Sequence, residues 1–549
     1  MMMRNIVLIL SVLLCSCGEY ITISKVQGKG AVSPLKEQFV QAKGVVTGVY
    51  QAKGQLGGFF MQERGVFSSK GIFVKTKRQV QIGDEISITA KVVEYKNETR
   101  LDSVLSISIL SEGNAIHKQC LTFPISLKKM EQLEGCLIYI EDEVLISNSY
   151  SFLKYGQILL SPSELIQATE IYDAQYDSRR VQEQLNPKYI NSILVDDLSN
   201  KRFVIKDSLY CNSEDVILGN TCSGMVGFVS QFNKDYKIRL IEDLSIKSIN
   251  KDKSCDVLGA IKVMSFNLHN LFNGDGQGGG FPTPRGAKTY ELYQLQLVKL
   301  NAAILATNPD ILAMMELEND GEDSLSAIVQ FCNYLNSNNS NRNYQVSFTG
   351  TSSGRDFIKT GIIYDSNKVT AVSSAKYHKN SVFSRPPLFQ RFTYGDSADF
   401  VLSVNHFKSK SPRGAEGLNE NQLDGQSAYN YKRLQQAEVL LSIIDSLYSK
   451  DDLLIIGDFN AYTMEDPIQL LESNNLKRLE TNKYSYEYKG HKGNLDHAFV
   501  NLNFKSSVKE IKIWDINASY PNWIDYRHEF ADSSYFRSSD HNPILIGLY

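Results

Sequence analysis

Beyond Cys17 no apolar run approaches the ~20 residues that a bilayer-spanning helix needs, so no permanent helical span is expected. No Cys-x-x-Cys pair occurs, which removes a zinc-ribbon site. Charge of one sign is also missing. The 58 Lys and Arg nearly balance the 61 Asp and Glu, leaving a net charge of −3. No global basic field attracts nucleic acid, and any anion binding must come from local groups. The Gly-rich GDGQGGG at 274–280 lacks a following GK[ST], so it is not a phosphate loop. What the chain does have is core material. Hydrophobic residues make up 42% of 549, which excludes long disorder and collagen-like repeats. The length suggests about three or four domains.

The first residues, MMMRNIVLILSVLLCSCGEY, read as an export signal. Arg4 gives a short basic start, and Ile6 to Leu14 is an apolar run too short for a permanent span. Leu14-Cys15-Ser16-Cys17 resembles a bacterial lipobox with Cys17 as the lipidated residue; an ordinary secretory signal is the alternative. The expectation is an exported, monomeric outer-membrane or cell-surface lipoprotein, or one facing the periplasm, tethered to the membrane through Cys17. Export permits disulfides. Among Cys120, Cys136, Cys211, Cys222, Cys255 and Cys332, the pairs Cys120–Cys136 and Cys211–Cys222 are the obvious local candidates.

Five segments are expected: the signal at 1–17, a tether at 18–35, an OB-like β-barrel at 36–115, a second β-rich OB-like module at 116–250, and an α/β domain at 258–549. The first module carries short β-rich runs such as FVQAKGVVTGVY and DEISITAKVVEY between Gly and polar turns. From Ile261 the pattern changes. Buried strands such as IKVMSFNLHNLF and DLLIIGDFN alternate with amphipathic helices such as YELYQLQLVKLNAAILAT.

In this last domain, apolar strands stop repeatedly at polar residues. Asn267 follows VMSF, Glu316 follows ILAMM, His406 follows VLSVN, and Asp458 and Asn460 follow LLIIG. Asp496 precedes HAFV, and Asp540 and His541 precede NPILIGL. Each such ending places a polar group at the rim of a core, where a site can form. A repeated set of Asp, Glu, Asn and His at strand ends is hard to attribute to packing, although Asp and Asn also form plain turns.

The pieces SFN, ME, NHFKSK, GDFNA, LDHA and SSDHNP, in that order, resemble the endonuclease/exonuclease/phosphatase superfamily, the fold of deoxyribonuclease I. The phrases MELEND, FSRPPLF, DGQSAYNYKRLQQAE and GDFNAYTMEDPI are similar to bacterial ExeM-like extracellular nucleases with OB-like modules ahead of the nuclease domain. The resemblance implies a multidomain chain ending in a four-layer α/β sandwich with two packed β-sheets between helices. It implies a metal-dependent phosphodiesterase, a low-specificity nuclease acting on DNA, with RNA as a further substrate. His541 would be the general base and Asp496 its orienting partner. Glu316 would be the main ligand of a divalent cation, with Asn267 and Asp540 near it. Hard oxygen donors suit Mg²⁺ first, with Mn²⁺ or Ca²⁺ as alternatives. Asp458, Asn460 and His406 would flank the scissile phosphate. Arg385, Lys408 and Arg433 would grip the polyanion.

Two departures stand out. His269 occupies a position where several relatives carry aspartate, and SDHNP has Asn542 where aspartate is usual. Two other readings remain: a sphingomyelinase-like or inositol-phosphate phosphoesterase, and a catalytically dead surface binding protein.

Overall fold

The computed structural model describes residues 20–65, 70–174, 181, 189–190, 192–198, 210–249, 254–395 and 398–549. The export signal and Cys17 lie outside the described residues, as does much of 175–188. Among the described residues no helix is long and apolar enough to cross a membrane.

The first module is a closed barrel of β1 (Phe39–Tyr50), β2 (Gly58–Gln62), β3 (Gly71–Lys75), β4 (Glu85–Tyr95) and β5 (Glu98–Ser111), in the order β1-β2-β3-β5-β4. Alternation turns Val40 and Ala42, then Ile86, Ile88, Ala90 and Val92, into one core. Residues 20–35 do not behave as a tether. Ile23 and Val26 are fully buried in that barrel core, because a short helix, Ile23–Gln27, caps it.

The second module is a nine-stranded sheet running from Gln119–Cys120 at one edge to Ser245–Lys247 at the other. Phe60 of the barrel stacks on Phe228 of this sheet with ring centroids 4.1 Å apart. Cys120 and Cys222 carry free thiols, so neither expected local disulfide forms.

The C-terminal domain is built on two six-stranded sheets. One runs in the order Tyr344–Val346, Ile358–Asp365, Ile311–Glu318, Ile261–Leu271, Ile544–Leu548, Val508–Ile513. The other runs Thr370–Tyr377, Leu388–Tyr394, Ala398–His406, Leu453–Asp458, Asp496–Asn501, Leu476–Arg478. The strands are apolar on both faces because both faces are covered. Ile261, Val263, Ile311, Ala313 and Met315 meet Leu402, Val404, Leu454 and Ile456 in a core between the sheets. The alternate residues Met264, Phe266, Leu312 and Met314 pack under helices Tyr290–Thr307 and Ala327–Asn338. Val401, Leu453 and Ile455 pack under Asn430–Leu447 and Asp466–Glu472. The result is the four-layer sandwich. Helix Tyr290–Thr307 begins at Thr289, whose hydroxyl accepts from the Leu292 N–H, and ends at Asn308 in the left-handed conformation.

Strand direction decides where the polar ends go. Ile261–Leu271 and Ile311–Glu318 are parallel neighbours, as are Ala398–His406 and Leu453–Asp458. Each pair therefore ends on one edge of its sheet. Asp496–Asn501 and Ile544–Leu548 run antiparallel to them and begin at that edge, with Asp458 opposite Asp496 and Ser265 opposite Ile544.

Candidate active site

All the strand-end residues meet at this edge. His541 Nδ1 lies 2.6 Å from Asp496 Oδ2, and His541 Nε2 lies 4.0 Å from Asp458 Oδ2. His406 Nε2 lies 3.5 Å from the same Asp458 oxygen. The Asn267 amide donates to Asp458 Oδ2 at 3.3 Å, and the Asn460 backbone N–H donates to Asp458 Oδ1 at 2.8 Å. Asp458 is thus the hub of the cluster. Gly457 must precede it: its φ is +141°, and a Cβ there would sit 2.0 Å from the Asn405 carbonyl oxygen.

Local backbone irregularities aim these side chains. The pairing register slips between Asn267 and Leu271, and between Met314 and Leu317. These bulges break the period of two. Leu312, Met314 and Leu317 all face the helices, so Glu316 is freed from the alternation and stands at the rim. His269, Glu316 and Asn460 all have positive φ, a conformation that costs of order 1 kcal/mol or more and clusters at functional sites.

The electrostatics fit a poised acid–base pair. Burial pushes the Asp458 carboxyl up to about 7, with His541 opposing the rise and Asp496 adding to it. Burial would depress His541, but the Asp496 and Asp458 carboxylates outweigh it and raise the imidazole well above its ordinary value. His406 is driven well below its ordinary value by burial, with Arg385 and His541 adding to the fall. It is a neutral imidazole. Glu316 is raised by burial and then by the charge of Asp540. Asp540 is lowered despite its burial, held by His269, His541, Arg537 and Arg527.

Asp458, Asp496 and His541 bring donor atoms within 4.8 Å of one another. His541 and Asp496 already share a hydrogen bond in that group, which makes them an oriented base rather than two spare ligands. Glu316 and Asp540 are the two carboxylates outside that hydrogen bond; the charge of Asp540 raises Glu316, while His269 and His541 offset both. Such a pair of hard oxygen donors fits a divalent cation. Asn267, expected near the cation, also makes bracing contacts. Its Oδ1 accepts from the His269 N–H at 3.0 Å, and its N–H₂ group is turned to Asp458, so the amide braces the first strand against the hub.

Residues 264–541, half of the chain, match the Endonuclease/Exonuclease/phosphatase family. The chain belongs to that family. Members of the family are hydrolases acting on phosphoester bonds, and they generally use a divalent metal. No curated protein matches the chain in sequence. Among solved structures it is similar to Danio rerio TDP2 complexed with a single-strand DNA product (14% identity, 52% of this chain and 97% of that one, TM-score 0.33). It is also similar to the human nocturnin catalytic domain with bound sulfate (15% identity, 53% and 94%, TM-score 0.33). A third is a Bacteroides thetaiotaomicron mannosyl-6-phosphatase (14% identity, 53% and 99%, TM-score 0.33).

Two of the arginines expected at the family's substrate face are turned inward. Arg433 is fully buried and donates to the carbonyls of Ala428 and Gln426, both at 2.8 Å. Arg385 is buried as well. It donates to the His406 and Phe407 carbonyls and to Asp356. Both position backbone around the site and present no free guanidinium. Lys408 alone of the three stays at a surface cleft, which it lines together with Arg355, Lys379 and Lys432.

Several supporting contacts escaped the sequence reading. His269, the departure from the family aspartate, sits between Asp525 (3.1 Å) and Asp540 (3.6 Å). Nothing in PNWIDYRHE marks Asp525. The Asn542 Oδ1 accepts from three backbone N–H groups, those of Ile516, Asn517 and Ala518, at 3.1, 2.8 and 3.0 Å. Asn517 in turn donates to the His541 carbonyl at 2.7 Å. His497 follows Asp496 directly, and its Nε2 lies 2.8 Å from the Ala461 carbonyl. The LDHA motif could have suggested that histidine; spacing alone could not.

Proposed function

We propose that the chain is a metal-dependent phosphodiesterase, a low-specificity nuclease that hydrolyses DNA, with RNA as a further substrate. One observation carries the reading: His541, oriented by Asp496 at 2.6 Å, points its other nitrogen toward Asp458 beside the Glu316–Asp540 carboxylate pair. His541 Nε2 takes the proton from the attacking water, and Asp496 holds the tautomer and stabilises the imidazolium that forms. Asp458 sits 4.0 Å from that nitrogen and orients the water. Neutral His406 and the Asn460 amide are the donors for a phosphoryl oxygen. Glu316 and Asp540 would hold a divalent cation, Mg²⁺ by the hardness of the donors, which would supply Lewis-acid relief of charge on the phosphoryl group.

The cation-lined cleft at Lys408, Arg355, Lys379 and Lys432 supports a polyanionic substrate despite the acidic whole. The strand order of the first module supports the OB-like reading at 36–115. For the second module at 116–250, the β-rich composition is the support. Export, lipidation at Cys17 and a surface or periplasm-facing location rest on the N-terminal sequence alone.

The test uses the purified chain with plasmid DNA, RNA, sphingomyelin and a simple phosphodiester, each with Mg²⁺ or EDTA. DNA is expected to be cut with Mg²⁺ and spared with EDTA, and His541→Ala to be inert. Cleavage of sphingomyelin alone, or turnover that survives EDTA, overturns the proposal.

A further inference from the structure

A cavity of about 880 Å³ opens beside the catalytic cluster, with Asn460 and Tyr486 on its wall. The Tyr486 ring also packs on the His541 imidazole, with centroids 4.5 Å apart. The cavity therefore begins where the scissile phosphate would be held and leads away from it. Its walls carry two more rings, Tyr462 and Tyr488, and the ammonium of Lys489 lies 5.2 Å from the centre of the Tyr488 ring. Tyr488 is about half exposed, at 52%, so part of its ring is open to a ligand. Tyr462 is positioned through Gly493, where a Cβ would lie 2.6 Å from the ring.

The second β module completes this wall. Its strand Leu165–Ile166 pairs in parallel with His491–Gly493, extending the Tyr486–Tyr488 hairpin into a three-stranded sheet. Gln167, on the same wall, donates to the Tyr488 carbonyl at 3.3 Å. A hairpin alone is marginally stable, and a third strand fixes its geometry.

We propose that this cavity is a subsite for a nucleobase attached to the phosphate under attack, with Tyr488 as its exposed stacking platform. The volume falls in the range of small-ligand pockets, roughly 300–1,000 Å³. Planar tyrosine rings next to a lysine suit a base on a charged backbone, since every base has a π-face and stacking tolerates sequence. The wall also carries the polar side chains of Asn460, Gln167 and Lys489, which suit a polar ligand better than an acyl chain. The inference rests on the phosphodiesterase reading for its geometry, but it can fail separately.

Two measurements separate the cases. Thymidine 5′-monophosphate and deoxyribose 5-phosphate are each titrated against the full chain by equilibrium dialysis. A thymidine oligonucleotide and the same strand made abasic are compared as substrates with Mg²⁺. The base-bearing ligand is expected to bind at least ~10-fold tighter, and the base-bearing strand to show a KM lower by a similar factor. Tyr488→Ala should remove most of both ratios. Tyr95→Ala, on an exposed tyrosine of the first barrel, should leave them intact. Equal binding of the two phosphates, or ratios that survive Tyr488→Ala, overturns the subsite. Base-dependent binding without turnover of either strand keeps the subsite and removes the phosphodiesterase reading.

Discussion

The Glu170 carboxylate of the second β module accepts from both the side chain and the backbone of Thr463 in the C-terminal domain, at 2.8 and 3.2 Å. The same carboxylate accepts from the backbone and side-chain N–H groups of Asn494, at 3.0 and 2.9 Å. Thr463 follows the GDFNA turn and Asn494 precedes Asp496, so one glutamate from a remote module ties together two segments that carry the cluster. Glu170→Ala leaves these donors without their partner. Each buried orphan costs about 1–3 kcal/mol. Thermal denaturation should show a fall of several degrees in the unfolding of the C-terminal domain. An unchanged midpoint would mean that the contact adds nothing to the docking.

The His541–Asp496 pair sets an acid limb on activity. The raised imidazole must lose its proton to act as a base, so kcat/KM should climb with pH through and above the neutral range. Asp496→Asn removes the charge that raises it. The limb should then move to lower pH, while the maximal rate falls about 10²–10⁴-fold because the ring is no longer oriented. A pH–rate profile of both proteins checks this; a limb that stays in place would show that Asp496 does not govern the base.

His497 predicts a dependence of stability on pH. Burial holds its imidazole down at about 3, with Arg478 adding to the fall. The unfolded chain takes up a proton near the ordinary value of 6.5 while the native state does not. Stability from this group is therefore full above about 6.5 and lost as pH falls toward 3, at most ~1.4 kcal/mol per unit. Denaturant melts between these limits should be flatter with pH for His497→Gln than for the native chain. Parallel slopes would count against the assignment.

Asn542 cannot revert to the family's aspartate without loss. Its amide donates to the Tyr484 carbonyl at 2.9 Å and to Asp515 at 3.1 Å, while its oxygen takes three backbone N–H groups. A carboxylate can accept but not donate, and it would face Asp515 with like charge. Asn542→Asp should lose about 2 kcal/mol at neutral pH and recover part of it in acid. Equal denaturation midpoints for the two proteins would refute this.

The apolar strands and their polar endings were legible in the sequence. IKVMSFN, ILAMME, VLSVNH and LLIIGD carry two buried faces and a polar stop, and parallel neighbours with polar stops must bring those stops to one edge. That is why Glu316, His406, Asp458, Asp496 and His541 could be named and why they meet. The inward turn of Arg385 and Arg433, the bracing role of Asn267, the partnership of His269 with Asp525 and the reach of Glu170 to Thr463 were decided by the tertiary structure. Periodicity tells which face of an element leaves water. It does not tell which carbonyl a long guanidinium will find, nor which distant segment will supply a partner. Those choices depend on through-space neighbours that exist only once the layers have packed.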